Sequence, residues 1–392
     1  MPELKFLANG KKETGSDCGC AGPHVTLGND AAPDPCCTAS SGNAPAWVAG
    51  TVMSPIGLVQ KVSTELSKSD RWEHVRCRTT SFRNNYMVNP GLYAVGNPDK
   101  DSDVLVSANY KLSFDMLRRE LTGLNAWILV LDTKGINVWC AAGKGTFGTD
   151  ELVKRIRSVQ LDRVVVHRRV IVPQLGAPGV SAQKVMQASG FRVLYGPVYA
   201  RDIAAYIRSG YKATREMRKV TFSLSDRLVL IPMEINPAMK NYPLFALLIL
   251  VVFGLQPHGI VFKDAFTGGL PFVLLGFISV FAGALFTPVF LPFVPFRSFA
   301  LKGWVAGLLL VFLSIRLIPL FDQSSVVLLS FTYLFFPIAS SYIALQFTGA
   351  TTFTGMSGVK KELKVAIPVY ISSAAVSLAL LVMFKLSQWR VI

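Results

Sequence analysis

The sequence predicts two unlike parts, a Rossmann-like α/β domain followed by an all-α domain of five membrane-spanning helices. Short β-branched runs alternate with amphipathic stretches as far as about Ile235, and near-continuous apolar runs recur from Tyr242 onward. Charge divides the chain at the same place: of 40 Lys/Arg and 24 Asp/Glu, only nine and three lie from Tyr242 onward. A hydrophobic content of 51% and a mean hydropathy of +0.41 set the chain apart from ordinary soluble proteins.

Residues 1–45 read as a flexible leader rich in Gly, Pro, Asp and Ala. Its Cys18, Cys20, Cys36 and Cys37 follow a C-x-C then C-C spacing, which matches no standard zinc or iron–sulfur pattern. Residues 1–16 lack an apolar core, so no cleavable signal is expected.

The α/β domain is expected over residues 46–235. Strands are read at 103–107, 127–132, 163–166, 191–195 and 227–231, with helices at 111–121, from Thr149, at 180–188 and at 201–208. Ligands of open parallel sheets bind beyond the carboxyl ends of the strands. The informative loops are therefore 107–110, 140–148 and 173–179.

The segment Gly143-Lys-Gly145-Thr-Phe-Gly148 permits two readings. It is a G-x-G-x-x-G placed between an expected strand and an expected helix, the context of a dinucleotide fingerprint. An acid should then close the following strand, but Asp162 precedes it, which leaves Arg168 and Arg169 to meet an NADP 2′-phosphate. A P-loop fails outright, because Gly145 follows Lys144 and Val138 stands where its first glycine is required. Alternatively, the small residues Ala141, Ala142, Gly143 and Gly145 let a wide flat ligand approach the backbone beside Cys140.

Asn137-Val-Trp-Cys-Ala-Ala-Gly-Lys144, extended through Gly-Thr-Phe-Gly-Thr149, resembles the cap-helix motif of mercury-methylating corrinoid proteins. Ser107-Ala-Asn-Tyr-Lys-Leu-Ser-Phe-Asp115 and Val172-Pro-Gln-Leu-Gly-Ala-Pro-Gly179 resemble loops in the corrinoid domain of corrinoid iron–sulfur proteins. The resemblance implies a Rossmann-like corrinoid-binding domain holding a cobalamin-type cobalt corrinoid. Cys140 thiolate would be the lower axial cobalt ligand. Asn137, Val138, Trp139, Ala141, Ala142, Gly143, Lys144 and Gly145 would cradle the ring, with Ser107 and Asn109 at its rim. It further implies methyl transfer from a folate-type donor, through a separate methyltransferase, to Hg(II), with electrons from a ferredoxin-like iron–sulfur reductase. The cysteine-bearing leader departs from the pattern. Alternatives are a membrane corrinoid carrier serving another acceptor, and the NADP-binding membrane protein described above.

The distal domain, residues 236–392, holds apolar runs at 242–262, 269–292, 303–321, 326–346 and 365–384. Each is near the ~20 residues that a helix needs to cross a hydrocarbon core. Arg297 and Lys302 follow the second run, and Lys360, Lys361 and Lys364 precede the fifth. The positive-inside rule then places the α/β domain on the cytoplasmic face of the inner membrane and the carboxyl terminus outside. Arg201, Arg208, Lys212, Arg215, Arg218 and Lys219 precede the first run and suit anionic headgroups. No nucleic-acid partner is expected, because no aromatic platform interleaves these charges.

Overall fold

A computed structural model describes residues 45–318, 325–347 and 356–391, so the leader and its four cysteines lie outside the described residues. The strands are β1 (Val48–Ser54), β2 (Gly57–Val62), β3 (Gly91–Val95), β4 (Asp103–Ala108), β5 (Ala126–Leu131), β6 (Arg169–Val172) and β7 (Arg192–Tyr195). They form one sheet in the order β1-β2-β3-β5-β4-β6-β7. Pairing is parallel within β5-β4-β6-β7 and antiparallel between β3 and β5. The helices of this domain are α1 (Lys68–Thr79), α2 (Lys111–Arg119), α3 (Val138–Lys144), α4 (Thr149–Ser158), α5 (Leu161–Val164), α6 (Ala182–Ser189) and α7 (Ile203–Arg208).

The period-two alternation of the strands divides the core into two layers. Leu105, Ile128, Val130 and Ile171 face one side, against Phe114 and Leu117 of α2 and Ile203 and Tyr206 of α7. Val104, Val106, Leu129, Leu131 and Val172 face the other, against Ala141, Leu152, Val164 and Val185 of α3 to α6. The helices following β4 and β5 thus lie on opposite faces. That reversal opens a crevice between the carboxyl ends of these two neighbouring strands.

Two strand expectations need correction. Residues 163–166 are not a strand: α5 covers Leu161–Val164, and β6 begins only at Arg169, after a left-handed Arg168 (φ 50°). His167 therefore precedes β6. Its ring nitrogens are engaged, Nε2 with the Ser102 carbonyl at 3.0 Å and Nδ1 with the Arg169 amide at 3.1 Å. Residues 227–231 are helical too. Ser223 and Asp226 form a reciprocal capping box that starts α8 (Leu224–Gly254) well before the expected first span.

Helix α8 ends at Gly254, leaving Pro257 and His258 in a tight turn between two short paired segments, Leu255–Gln256 and Gly259–Ile260. The second apolar helix is α9 (Phe262–Phe281), continued by a π-turn at Ala282–Phe286 into α10 (Thr287–Val289). Then come α11 (Phe299–Leu317), α12 (Val326–Gln346) and α13 (Met356–Gln388). Five of these stretches are long and apolar enough to cross a membrane. Helices α11 and α12 approach closely at small residues. A Cβ on Gly303 would lie 2.3 Å from that of Ala344, and one on Gly307 would lie 2.6 Å from that of Ser340.

Buried cations cap carbonyls between helices of the bundle. Arg227 donates to the Pro288 and Val289 carbonyls at 2.8 and 2.7 Å. Lys302 donates to the Leu291 carbonyl, and Lys385 to those of Phe253 and Leu255 at 3.0 and 3.1 Å. Each donor satisfies oxygens that a helix end leaves without intrahelical partners. Arg316 is exposed in the last turn of α11, over the Phe312 ring.

Candidate functional site

Cys140 lies in a helix, not at the end of a strand. Six residues separate β5 from α3, and within them Thr133-Lys-Gly135 turns the chain with left-handed Lys134 and Gly135. Asn137 caps α3, its Oδ1 accepting from the Cys140 amide at 2.9 Å. The capping places Cys140 in the first helical turn, part-exposed, at the carboxyl edge of the sheet. Substituting Ala for an Asn cap costs ~1 kcal/mol of helix stability. Asn137→Ala is expected to lower thermal stability by about that amount, whereas Asn137→Asp retains it; differential scanning fluorimetry of the detergent-solubilised chain would show this.

Asn109 bridges the crevice. Its Oδ1 accepts from the Thr133 amide at 3.1 Å, the Thr133 hydroxyl at 2.8 Å and the Gly135 amide at 3.0 Å. The loop after β4 thereby fixes the turn that leads into α3. Ser107 is also buried. A cavity of about 620 Å³ opens beside it, its wall including Ser107, Asn137, Val138, Trp139 and Tyr199. Cys140 is absent from that wall and stands next to it in sequence, one residue beyond Trp139.

The remaining sequence candidates divide in two. Ala141 and Ala142 are buried in the core, whereas Gly143, Lys144 and Gly145 are exposed. The lack of a side chain at Gly179 lets its loop pack on α3: a Cβ there would lie 3.1 Å from Ala142 Cα and 2.1 Å from the Phe147 carbonyl oxygen. Gly176 likewise leaves room for the Phe147 ring, 2.4 Å from its ideal Cβ position. The loop 173–179 therefore braces the cysteine helix. Overpacking of this kind costs ~1–3 kcal/mol. Gly179→Ala is expected to destabilise the α/β domain by that amount, read as a lowered denaturant midpoint followed by near-UV circular dichroism.

The dinucleotide reading loses its context. Gly143 is helical, Gly145 is the left-handed cap that ends α3 (φ 83°), and Gly148 is the residue that begins α4. The fingerprint requires a strand running directly into a glycine turn and a helix; here a helix precedes the turn. Arg168 and Arg169 sit at the amino end of β6, the edge opposite these glycines.

Sequence reasoning missed a buried ionic cluster between α1 and α2. Lys111 Nζ donates to Asp70 and Asp115 at 2.7 and 2.8 Å, and Arg118 donates to the same two carboxylates at 2.9 and 2.7 Å. His74 Nε2 meets Asp115 at 2.9 Å, and Arg118 also donates to the Ser63 and Glu65 carbonyls. Burial opposes ionisation of Asp70 and Asp115. The surrounding donors overcome it, Lys111 foremost at Asp70 and His74 at Asp115, and hold both carboxyls below the ordinary range. Two signals were present: Ser67-x-x-Asp70 is a capping box, and Lys111, Asp115 and Arg118 share one helix face.

Fold and site together define a doubly wound α/β domain with its site at the carboxyl edge, joined to a bundle of apolar helices. Residues 46–207 match the family model of the CO dehydrogenase/acetyl-CoA synthase delta subunit. The chain is 28% identical over 169 residues to the corrinoid/iron-sulfur protein large subunit of Moorella thermoacetica, covering 40% of this chain and 37% of that protein. It is 28% identical over 134 residues to the acetyl-CoA decarbonylase/synthase complex subunit gamma of Archaeoglobus fulgidus, covering 34% and 28%. With subunit gamma 2 of Methanosarcina thermophila it shares 34% identity over 125 residues, covering 30% and 26%. The chain thus spans between 26% and 37% of the length of these relatives. Its α/β region is a relative of corrinoid/iron–sulfur protein subunits, as the loop sequences led one to expect.

Proposed function

We propose that this chain is a membrane-anchored corrinoid protein that transfers a methyl group to Hg(II) and releases methylmercury. Cys140 thiolate would be the lower axial ligand of the corrinoid cobalt. One observation carries the reading: in the region similar to corrinoid/iron–sulfur subunits, a part-exposed cysteine stands in an asparagine-capped helix beside a cavity at the carboxyl edge. The residues fit such a group. Cys140 offers a soft sulfur donor whose own amide is already engaged by Asn137, and exposed Gly143 and Gly145 present no side chain to hold a flat ring away.

When bound, the corrinoid supplies a cobalt-held methyl group, for which a soft electrophile such as Hg(II) is a matched acceptor. Cys140 would hold the cobalt through its sulfur, whose electron donation would tune the reactivity of the group. Asn137 and Asn109 fix the helix and the turn before it, so the sulfur is positioned without reorganisation. Ser107, Val138 and Trp139 present the adjoining wall. A folate-type donor acting through a separate methyltransferase and a ferredoxin-like iron–sulfur reductase are the proposed partners. The five apolar helices hold the chain in the inner membrane with the α/β domain cytoplasmic. The six basic residues between Arg201 and Lys219, all exposed, meet anionic headgroups.

A second reading rests on the names of the relatives: the methyl group goes to another acceptor, as a carrier would deliver it. Anaerobic purification with measurement of cobalt and of the visible spectrum tests the common core. Stoichiometric cobalt is expected, and a chain that takes up none on reconstitution with hydroxocobalamin refutes both readings. A methylmercury assay in cells carrying the partners separates them. Product supports mercury as acceptor, and its absence with a loaded protein selects the carrier.

A further inference from the structure

The cavity beside Cys140 is not closed by the α/β domain alone. Val220 and Phe222, from the connector that leads into α8, and Asp226 of the first turn of α8 complete a wall otherwise made by residues such as Ser107 and Trp139. The connector is fastened on both sides. Towards the sheet, the Tyr199 hydroxyl accepts from the Thr221 amide at 3.1 Å and lies 2.8 Å from its hydroxyl. Arg218 donates to Gln174 Oε1 at 2.8 Å. Towards the bundle, Arg227 is anchored on the carboxyl end of the second apolar helix. Phe222 is buried in a cluster with Leu291, Phe299 and Phe347, while its backbone is left-handed (φ 43°). Such a conformation is uncommon for a bulky residue and persists only where the surroundings impose it.

We infer that the connector, through Val220 and Phe222, is part of the corrinoid site, so that cofactor binding and the seating of the α/β domain on the membrane bundle are one linked equilibrium. The inference rests on the proposed corrinoid reading and adds to it residues outside the region that resembles known corrinoid domains. Its physical basis is that one aromatic side chain touches both the cavity and the bundle. A ligand that packs on it from one side favours the conformation that the bundle favours from the other.

Full-length protein in lipid nanodiscs, handled anaerobically, would be titrated with hydroxocobalamin and followed by its visible spectrum. Phe222→Ala would be compared with Leu230→Ala, which loosens the same cluster without touching the cavity. Phe222→Ala is expected to weaken binding about tenfold or more, and Leu230→Ala to leave it within about threefold. Trypsin cleavage after the exposed Arg218 and Lys219 should also slow on loading of the wild type. Equal affinities for wild type and Phe222→Ala would overturn the inference while leaving the corrinoid reading intact. Equal weakening by both substitutions would overturn it too, since bundle packing would then be the cause. A wild type that binds no hydroxocobalamin would remove the corrinoid reading and this inference with it.

Discussion

With Cys140 holding the corrinoid as proposed, Cys140→Ala is expected to abolish methylmercury formation while leaving the protein folded. Loss of a group that merely orients a metal ligand costs ~10–100-fold in affinity or activity, so removing the sulfur donor itself should cost more than about 100-fold. The structure gives reason to expect an intact fold. Cys140 is part-exposed, and it donates its amide rather than its side chain to the helix cap, a bond that alanine keeps. Three measurements on one preparation separate a chemical from a structural loss: cobalt content, the visible spectrum, and the thermal midpoint. Reduced cobalt retention and an altered spectrum at an unchanged midpoint are the expected set. Methylmercury at the wild-type rate from Cys140→Ala would show that another group faces the cobalt, and the assignment of this sulfur would be withdrawn.

The parts of the molecule legible in the sequence are those where one local pattern dominates. The strands β4, β5 and β7 alternate or run continuously apolar, and the helices α2, α4 and α6 carry one apolar stripe, so their period reveals them. Arg227 to Ile231 misled for a definable reason. The apolar run Leu228-Val-Leu-Ile231 reads as a strand, but the capping box at Ser223 and Asp226 and the anchoring of Arg227 on another helix end decide the local structure. Tertiary partners outweighed propensity there. The segment around Cys140 shows a related failure. Its residues favour neither state strongly, and the helix depends on the Asn137 cap and on the loop 173–179, whose glycines have meaning only once the two segments meet. Resemblance found that helix where periodicity did not. Tyr199 and Phe222 carry no signal at all in a single sequence, because their relevance comes from a cavity built by distant segments.

The second large effect is expected far from Cys140, in the cluster around Asp115. This carboxylate is fully buried and receives charged donors from Lys111 and Arg118, together with the His74 ring and the Tyr86 hydroxyl. Asp115→Ala leaves two buried cations short of their counter-charge, a defect worth ~3–5 kcal/mol. Replacing Arg118 and Asp115 together by apolar residues of similar volume should cost less than either single change, because no unpaired charge then remains. The pH dependence has a definite sign. Asp70 and Asp115 have carboxyl pKa values below the ordinary range in the folded state, so below about pH 4 the unfolded chain binds more protons than the folded one. Their stabilisation is fully present above the ordinary carboxylate range and is lost as the pH falls through the lowered folded values. Denaturant midpoints measured between neutral and acid pH should decline for the wild type and decline less steeply for Asp115→Asn, which no longer has that carboxylate to protonate. Parallel curves for the two proteins would mean that acid sensitivity originates elsewhere. The cluster joins α1 and α2 at the foot of the loop that carries Asn109, so its failure should also loosen the turn that Asn109 holds. Hydrogen exchange at the Thr133 and Gly135 amides is then expected to accelerate in Asp115→Ala even under conditions where the chain remains folded.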